Sequence, residues 1–210
     1  MNRVTTIVSV LVLVTSLAAC KKKDGDAAGS AGSGETATAP GAEAKAKAPS
    51  MTINDADWVA KDLHAVAPLI NVTMRVPKDA KLEKNGNGGV DVHVNDVYML
   101  TVSALAVSNI AEGIKGDKSL TVERKDQYIN TKVLSEDPNG FVYTMQMKDE
   151  ENGTKYEPEA HFAFYVEKDG AIYSILDQRP MEAFGAPGST YSQDTATKVY
   201  AIVKGSAKVN

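Results

Sequence analysis

Residues 21–50 contain no large apolar side chain, and this absence most constrains what the chain can fold into. The segment KKKDGDAAGSAGSGETATAPGAEAKAKAPS lacks aromatic residues, Val, Ile, Leu and Met, and 21 of its 30 residues are Ala, Gly, Ser, Thr or Pro. Such side chains bury too little apolar surface to offset the entropy lost on folding, so we predict a flexible linker. Of the segments it separates, only the 160 residues 51–210 are long enough to build a core, and we predict a single domain there.

The segment before this linker, residues 1–19, has the order of a secretory signal. Arg3 provides a positive start, an apolar run follows from Val4 to Leu17, and the small residues Ala18 and Ala19 end it. The apolar run is shorter than the ~20 residues that a membrane-spanning helix needs. We therefore predict a signal peptide rather than a permanent transmembrane helix.

The only cysteine of the chain, Cys20, lies where this signal would be cleaved. The motif Leu17-Ala18-Ala19-Cys20 resembles the lipobox of bacterial lipoproteins at every position. The resemblance implies cleavage between Ala19 and Cys20, a diacylglyceryl group on the Cys20 thiol, and acylation of the new amino terminus, with palmitate among the fatty acids. Each buried CH₂ contributes about 0.8 kcal/mol, so two or three acyl chains anchor a protein stably. We expect a lipoprotein whose covalent lipid on Cys20 attaches it to the bilayer, and we predict no other cofactor.

The residue after the lipid attachment point bears on location within the cell envelope. In Gram-negative lipoproteins, Lys21 rather than Asp at this position is similar to signals for export to the outer membrane. For a Gram-negative source we therefore expect an outer-membrane lipoprotein in contact with the periplasm. The linker has a coil span of roughly 30 Å, which would let the folded domain move off the bilayer.

Charge and cysteine content exclude several kinds of binding partner and site. Residues 51–210 contain 17 Lys+Arg and 23 Asp+Glu, a net charge of −6, so we expect no nucleic-acid partner and no unaided binding to anionic lipid. A single cysteine excludes an intramolecular disulfide and a zinc site built from cysteines.

Apolar residues at period two dominate residues 70–177 and predict strands joined by hairpins. A short helix is expected over 109–115, begun by Asn109 and Glu112 as a capping-box pair and stopped by Gly116. A longer helix is expected over 192–204, ended by Gly205. The fold class is therefore α+β, an antiparallel sheet with one short and one C-terminal helix packed on it. Residues 56–69 fit either a strand or a helix. The predicted strands cover residues 70–76, 90–94, 98–105, 128–135, 141–148, 161–167 and 171–177.

This order of elements resembles the PsbP-like α/β/α sandwich found in many exported bacterial lipoproteins of unknown role. The resemblance rests on the strand end Arg75-Val76-Pro77-Lys78, the hairpins that follow, and the final segment Val203-Lys204-Gly205-Ser206-Ala207-Lys208. It covers most of residues 65–208. It implies a fold and no active-site residues.

Two groups of polar residues are weak candidates for a metal site. Asp91 and His93 lie two apart on a predicted strand, so they share a face, which is either a metal or proton-transfer surface or the solvated side of the strand. Glu157, Glu159 and His161 repeat this spacing beside the acidic residues 149–151, which suggests either weak Ca²⁺ binding or a charged loop tip. We predict no firm metal site.

The sequence contains no G-x-S-x-G, no H-E-x-x-H and no second cysteine, and we predict no catalytic residue. A non-catalytic binding or accessory subunit that docks on an envelope protein is the preferred hypothesis. The alternatives are a small-ligand or metal-binding module and an enzyme assembled from scattered Asp, Glu, Tyr and Ser side chains.

Overall fold

The structure is a computed structural model that describes residues 51–149, 153, 155–179 and 191–210. The predicted signal peptide, Cys20 and the linker lie outside these residues. Among the described residues, no helix is long and apolar enough to cross a membrane.

The described residues form ten strands and two α-helices. The strands are β1 Trp58–Asp62, β2 Val72–Pro77, β3 Lys81–Lys84, β4 Val90–His93, β5 Met99–Leu105, β6 Tyr128–Asp137, β7 Gly140–Met147, β8 Glu159–Lys168, β9 Ala171–Gln178 and β10 Lys208–Val209. The helices are α1 Ile110–Leu120 and α2 Gln193–Ser206, and two single 3₁₀ turns cover Asp55–Asp57 and Leu63–Ala65.

The strands form two antiparallel sheets. One has seven strands in the order β3-β4-β5-β9-β8-β7-β6, and the other has three in the order β1-β2-β10. This confirms the predicted α+β class, with hairpins β6–β7 and β8–β9 in the positions expected. Residues 56–69, whose sequence fits either a strand or a helix, contain strand β1. Strands β3 and β10 were not predicted, since each is short and mostly polar.

Strand β8 is buried on both faces. On one face Phe162, Phe164 and Val166 belong to the main core together with the apolar side of α2. On the other face Ala163 and Tyr165 belong to a second cluster, beneath Ile114 of α1. The sheet therefore passes between the two helices, and β8 is the strand on which both helices pack.

Helix α1 begins as predicted but ends later. The Asn109 side chain accepts a hydrogen bond from the Glu112 N–H at 2.9 Å, and the Glu112 carboxylate accepts one from the Ser108 N–H at 2.8 Å. The predicted stop at Gly116 is wrong, because the helix continues to Leu120. Its last turn is fixed to the sheet by the 2.6 Å ion pair of Lys118 with Glu136 on β6, which offsets the cost of an internal glycine.

The predicted end of α2 at Gly205 is also wrong. This helix runs to Ser206, and the N–H of the C-cap residue Ala207 donates to the Val203 carbonyl. The Ser206 hydroxyl oxygen accepts a hydrogen bond from the Arg75 N–H of β2 at 3.1 Å, so a contact with the small sheet extends the helix.

The turn 137–140 ties the β6–β7 hairpin to α2. One oxygen of Asp137 accepts the Asn139 N–H at 2.8 Å, and the other lies 2.7 Å from both the Tyr200 hydroxyl and the Lys204 ammonium. Burial alone would raise the pKa of Asp137, but these donors hold it below its usual value.

Two glycine substitutions test this description. A Cβ at Gly140 would lie 2.3 Å from the Ala163 carbonyl oxygen, so Gly140→Ala should lower the free energy of unfolding by about 1–3 kcal/mol. A Cβ at Gly116 would meet nothing within 4 Å, so Gly116→Ala should raise it by about 0.5–1 kcal/mol if the helix continues there. Urea denaturation measures both, and a destabilising Gly116→Ala would contradict the longer helix.

Candidate functional site

The densest group of ionisable side chains lies where β8 begins and β9 ends. We call it the His161 cluster. Two members lie on β8 and one on β9, and the other three lie just before β5, just after β9 and just before α2. In chain order the members are Tyr98, Glu159, His161, Asp177, Arg179 and Tyr191.

Asp177 is buried, and its side chain has no solvent exposure. It follows Tyr173 and Ile175 at period two, so it occupies a core position of β9. One oxygen accepts the Tyr98 hydroxyl at 3.0 Å, and the other accepts the Phe162 N–H at 2.9 Å. The second oxygen also lies 3.4 Å from Nδ1 of His161. Regular pairing of β8 with β9 begins at Ala163, so the Asp177 carboxylate bonds to the β8 residue just before the paired region.

His161 lies between two carboxylates. Its Nε2 is 3.2 Å from Glu159, and the guanidinium of Arg179 contacts the other oxygen of Glu159. The Tyr191 ring lies 4.9 Å from the imidazole, centroid to centroid, and Arg179 lies 5.0 Å from the centre of the same ring. Aromatic contacts and ion pairs thus enclose the histidine.

The same tyrosine links the cluster to the start of α2. The Tyr191 hydroxyl lies 2.8 Å from the Val97 carbonyl and 2.9 Å from the Gln178 carbonyl. The Tyr191 carbonyl in turn accepts the Ala160 N–H at 2.7 Å. Tyr191 therefore bonds to the backbone of β8 at Ala160, outside the residues of β8 that pair with β9.

Electrostatics favour a charged imidazole. Burial alone would lower the pKa of His161, but the carboxylates of Asp177 and Glu159 raise it to about 9. Burial and the Asp177 charge raise the pKa of Tyr98 well above its usual value. At neutral pH the cluster therefore holds a histidinium and neutral tyrosines.

The chemistry of this arrangement is that of a structural ion network. Among the described residues, no buried side-chain nitrogen or oxygen lacks a hydrogen-bond partner. A histidinium enclosed by two carboxylates has no free lone pair with which to accept a proton at neutral pH. The cluster closes the end of the sheet, and its charges neutralise one another.

The predicted pair Asp91 and His93 lies on the half-buried polar face of β4, as the sequence suggested, but the two side chains have separate partners. Asp91 accepts hydrogen bonds from Asn85 at 3.0 Å and Thr101 at 2.9 Å, whereas His93 lies 3.2 Å from Glu83. The structure therefore does not bring the two side chains onto one common partner.

The structure separates Glu157 from the other two residues of the second predicted group. Glu159 and His161 come together inside the His161 cluster, whereas Glu157 is exposed before β8 begins. In the part of the chain that the structure describes, no three His, Cys, Asp or Glu residues are placed to hold a metal ion. Glu150 and Glu151 of the acidic segment lie outside that part.

The sequence analysis did not single out Asp177, Arg179 or Tyr98. A signal was present for Asp177, because an acidic residue continues the apolar period-two face of Tyr173 and Ile175. Nothing local in the sequence pairs Tyr98 with Asp177, 79 residues later.

No known family model matches this sequence, and a search of curated proteins finds no relative. The lipobox and PsbP-like resemblances stay predictions.

The raised pKa of His161 makes stability depend on pH. Its value rises from 6.5 to about 9 on folding, so the stabilisation is fully present below pH 6.5 and is lost as pH rises through 9. We expect the free energy of unfolding to fall by about 3 kcal/mol over this window, as measured by urea denaturation at several pH values.

His161→Gln should remove this dependence and destabilise the protein at pH 6. The matched control is His64→Gln at an exposed position, which leaves the cluster intact and should preserve the fall with pH. A fall that persists unchanged in His161→Gln would contradict the assignment of the histidinium.

Proposed function

We propose that this chain is an envelope lipoprotein, anchored in a membrane through an acylated Cys20, whose folded part is a non-catalytic binding or accessory subunit. The observation that carries the proposal is the position of the only cysteine, at the end of Leu17-Ala18-Ala19-Cys20 and directly before a linker without large apolar residues. The predicted export signal, the lipid attachment site and the linker follow one another directly in the sequence.

Binding rather than catalysis is favoured by how the ionisable groups are used. The buried side chains of His161 and Asp177 bond to each other, and Asp177 also bonds to the backbone of β8. A catalytic acid or base needs a proton-transfer partner among the substrate atoms. The partner we propose is a protein of the envelope, reached across the linker.

Loss of the thiol tests the anchor. Cys20→Ala should abolish incorporation of radiolabelled palmitate and release the protein from the membrane fraction, or leave it as unprocessed precursor, because the lipid has no attachment atom. Ser16→Ala, which changes a residue of the leader outside the lipobox, should still be labelled. Membrane retention and labelling of Cys20→Ala would refute the anchor.

The residue after the lipid site tests location. In a Gram-negative host, Lys21→Asp should move the lipoprotein from the outer to the inner membrane, whereas Lys22→Asp changes the charge equally and should leave it in the outer membrane. Sucrose-gradient separation of the two membranes measures this. Equal distributions for wild type and Lys21→Asp would contradict outer-membrane export.

The binding role is tested by crosslinking in intact cells, followed by capture of the lipidated protein and mass spectrometry. An envelope protein recovered repeatedly with the wild type, and lost when Cys20→Ala releases the domain from the membrane, supports the accessory subunit. Recovery of no partner over a range of crosslinker lengths opposes it.

A further inference from the structure

A groove of about 460 Å³ lies at the opposite end of β8 from the His161 cluster. Glu159 and Lys168, at the two ends of this ten-residue strand, are about 30 Å apart. We call it the lysine groove, because an ammonium group comes from each of three elements around it, β8, α2 and β10. Its principal lining residues are Asn139, Phe164, Val166, Lys168, Lys204 and Lys208.

The walls of the groove are held in place by bonds already formed. Asn139 fixes the β6–β7 turn to β8, since its carbonyl accepts the Tyr165 N–H at 2.7 Å. Asp137 of the same turn fixes the last turn of α2 through Lys204. Strand β10 pairs with β2, with Lys208 opposite Thr73. A ligand would therefore bind without ordering the backbone first, which lowers the entropic cost of binding.

Two of the three ammonium groups have no partner within the described part of the chain. Lys204 is paired with Asp137, whereas Lys168 and Lys208 make no side-chain hydrogen bond or ion pair with the described residues. Both are exposed. Lys204 lies in the last turn of α2, at the negative end of the helix dipole. The groove thus gathers positive charge within a segment whose net charge is −6.

One acidic residue, Glu167, also lines the groove. It is exposed at the end of β8, and among the described residues it forms no ion pair with a lysine of the groove. Its charge opposes an anion, so it provides a variant that should act in the opposite direction from the lysines.

From this juxtaposition we propose that the lysine groove binds a phosphate group, with the unpartnered ammonium groups of Lys168 and Lys208 as its main contacts. A phosphate dianion matches two unpaired ammonium groups in charge, and its several oxygens accept bonds from lysines on separate elements. The phosphate belongs either to a soluble molecule or to a lipid headgroup. This goes beyond the proposed function, since it adds a phosphate ligand to the protein partner proposed there.

The test uses the mature chain, residues 20–210, carrying Cys20→Ser so that no lipid anchor contributes. Inorganic phosphate is titrated while the backbone amide resonances are followed by NMR, and sedimentation with phosphatidylcholine vesicles with and without phosphatidic acid forms the second arm. We expect shifts centred on Lys168 and Lys208, and binding that weakens as salt increases. Phosphate binding alone indicates a soluble ligand, and sedimentation with phosphatidic acid indicates a headgroup; either supports the proposal.

Charge variants identify the groove. Lys168→Gln with Lys208→Gln should raise the Kd at least about fivefold, and Glu167→Gln should lower it about twofold. The matched control, Lys84→Gln, removes an exposed lysine on β3 and should leave the Kd unchanged. Thermal unfolding of each variant shows that these surface changes leave the fold intact.

Three results would overturn the proposal: no binding in either arm, binding unaffected by the double variant, or an equal loss in Lys84→Gln, which would indicate net charge alone. None of these bears on the anchor, because Cys20→Ser has already removed it. Conversely, failure of the palmitate test leaves the phosphate titration valid.

Discussion

The burial of β8 on both faces is the constraint on which the rest of the structure depends. A strand without a solvent face needs a cover on each side, and α2 and α1 supply these covers over Phe162 and Tyr165 respectively. Its neighbours β7 and β9 satisfy its backbone along most of its length. Both helix positions, and the order of the seven-stranded sheet around them, follow from this one strand.

The two ends of β8 meet this constraint in different ways. At its start β9 departs, and a buried carboxylate, Asp177, replaces the missing ladder bond to Phe162. An isolated carboxylate there would be costly, and the adjacent His161 supplies the compensating charge. At its far end β8 reaches the surface beside Lys204 and Lys208, and there the ammonium groups of Lys168 and Lys208 have no partner among the residues that the structure describes. One end is therefore neutralised internally, and the other is open to a ligand.

Much of the fold could be predicted from the sequence, and less of the site. Alternation located the long hairpins, and the Asn109–Glu112 pair marked the start of α1, because period and capping are local signals. The ends of the helices at Gly116 and Gly205 were misjudged, since contacts with Glu136 and Arg75 override local propensity. The His161 cluster joins residues from distant strands, and its partners depend on strand order. The lysine groove likewise combines β8, α2, β10 and the β6–β7 turn. Its lysines are far apart in the sequence, and the net charge of −6 gave no sign of a local basic patch.

We propose a tethered binding domain, and lipidation of Cys20 is the step on which that proposal most depends. The most direct measurement is mass spectrometry of the amino-terminal peptide of the protein purified from membranes of its native host. We predict a peptide that begins at Cys20 and carries the mass of a diacylglyceryl group, with or without an amide-linked acyl chain. A peptide that begins at another residue, or one that contains Cys20 as a free thiol, would contradict the account.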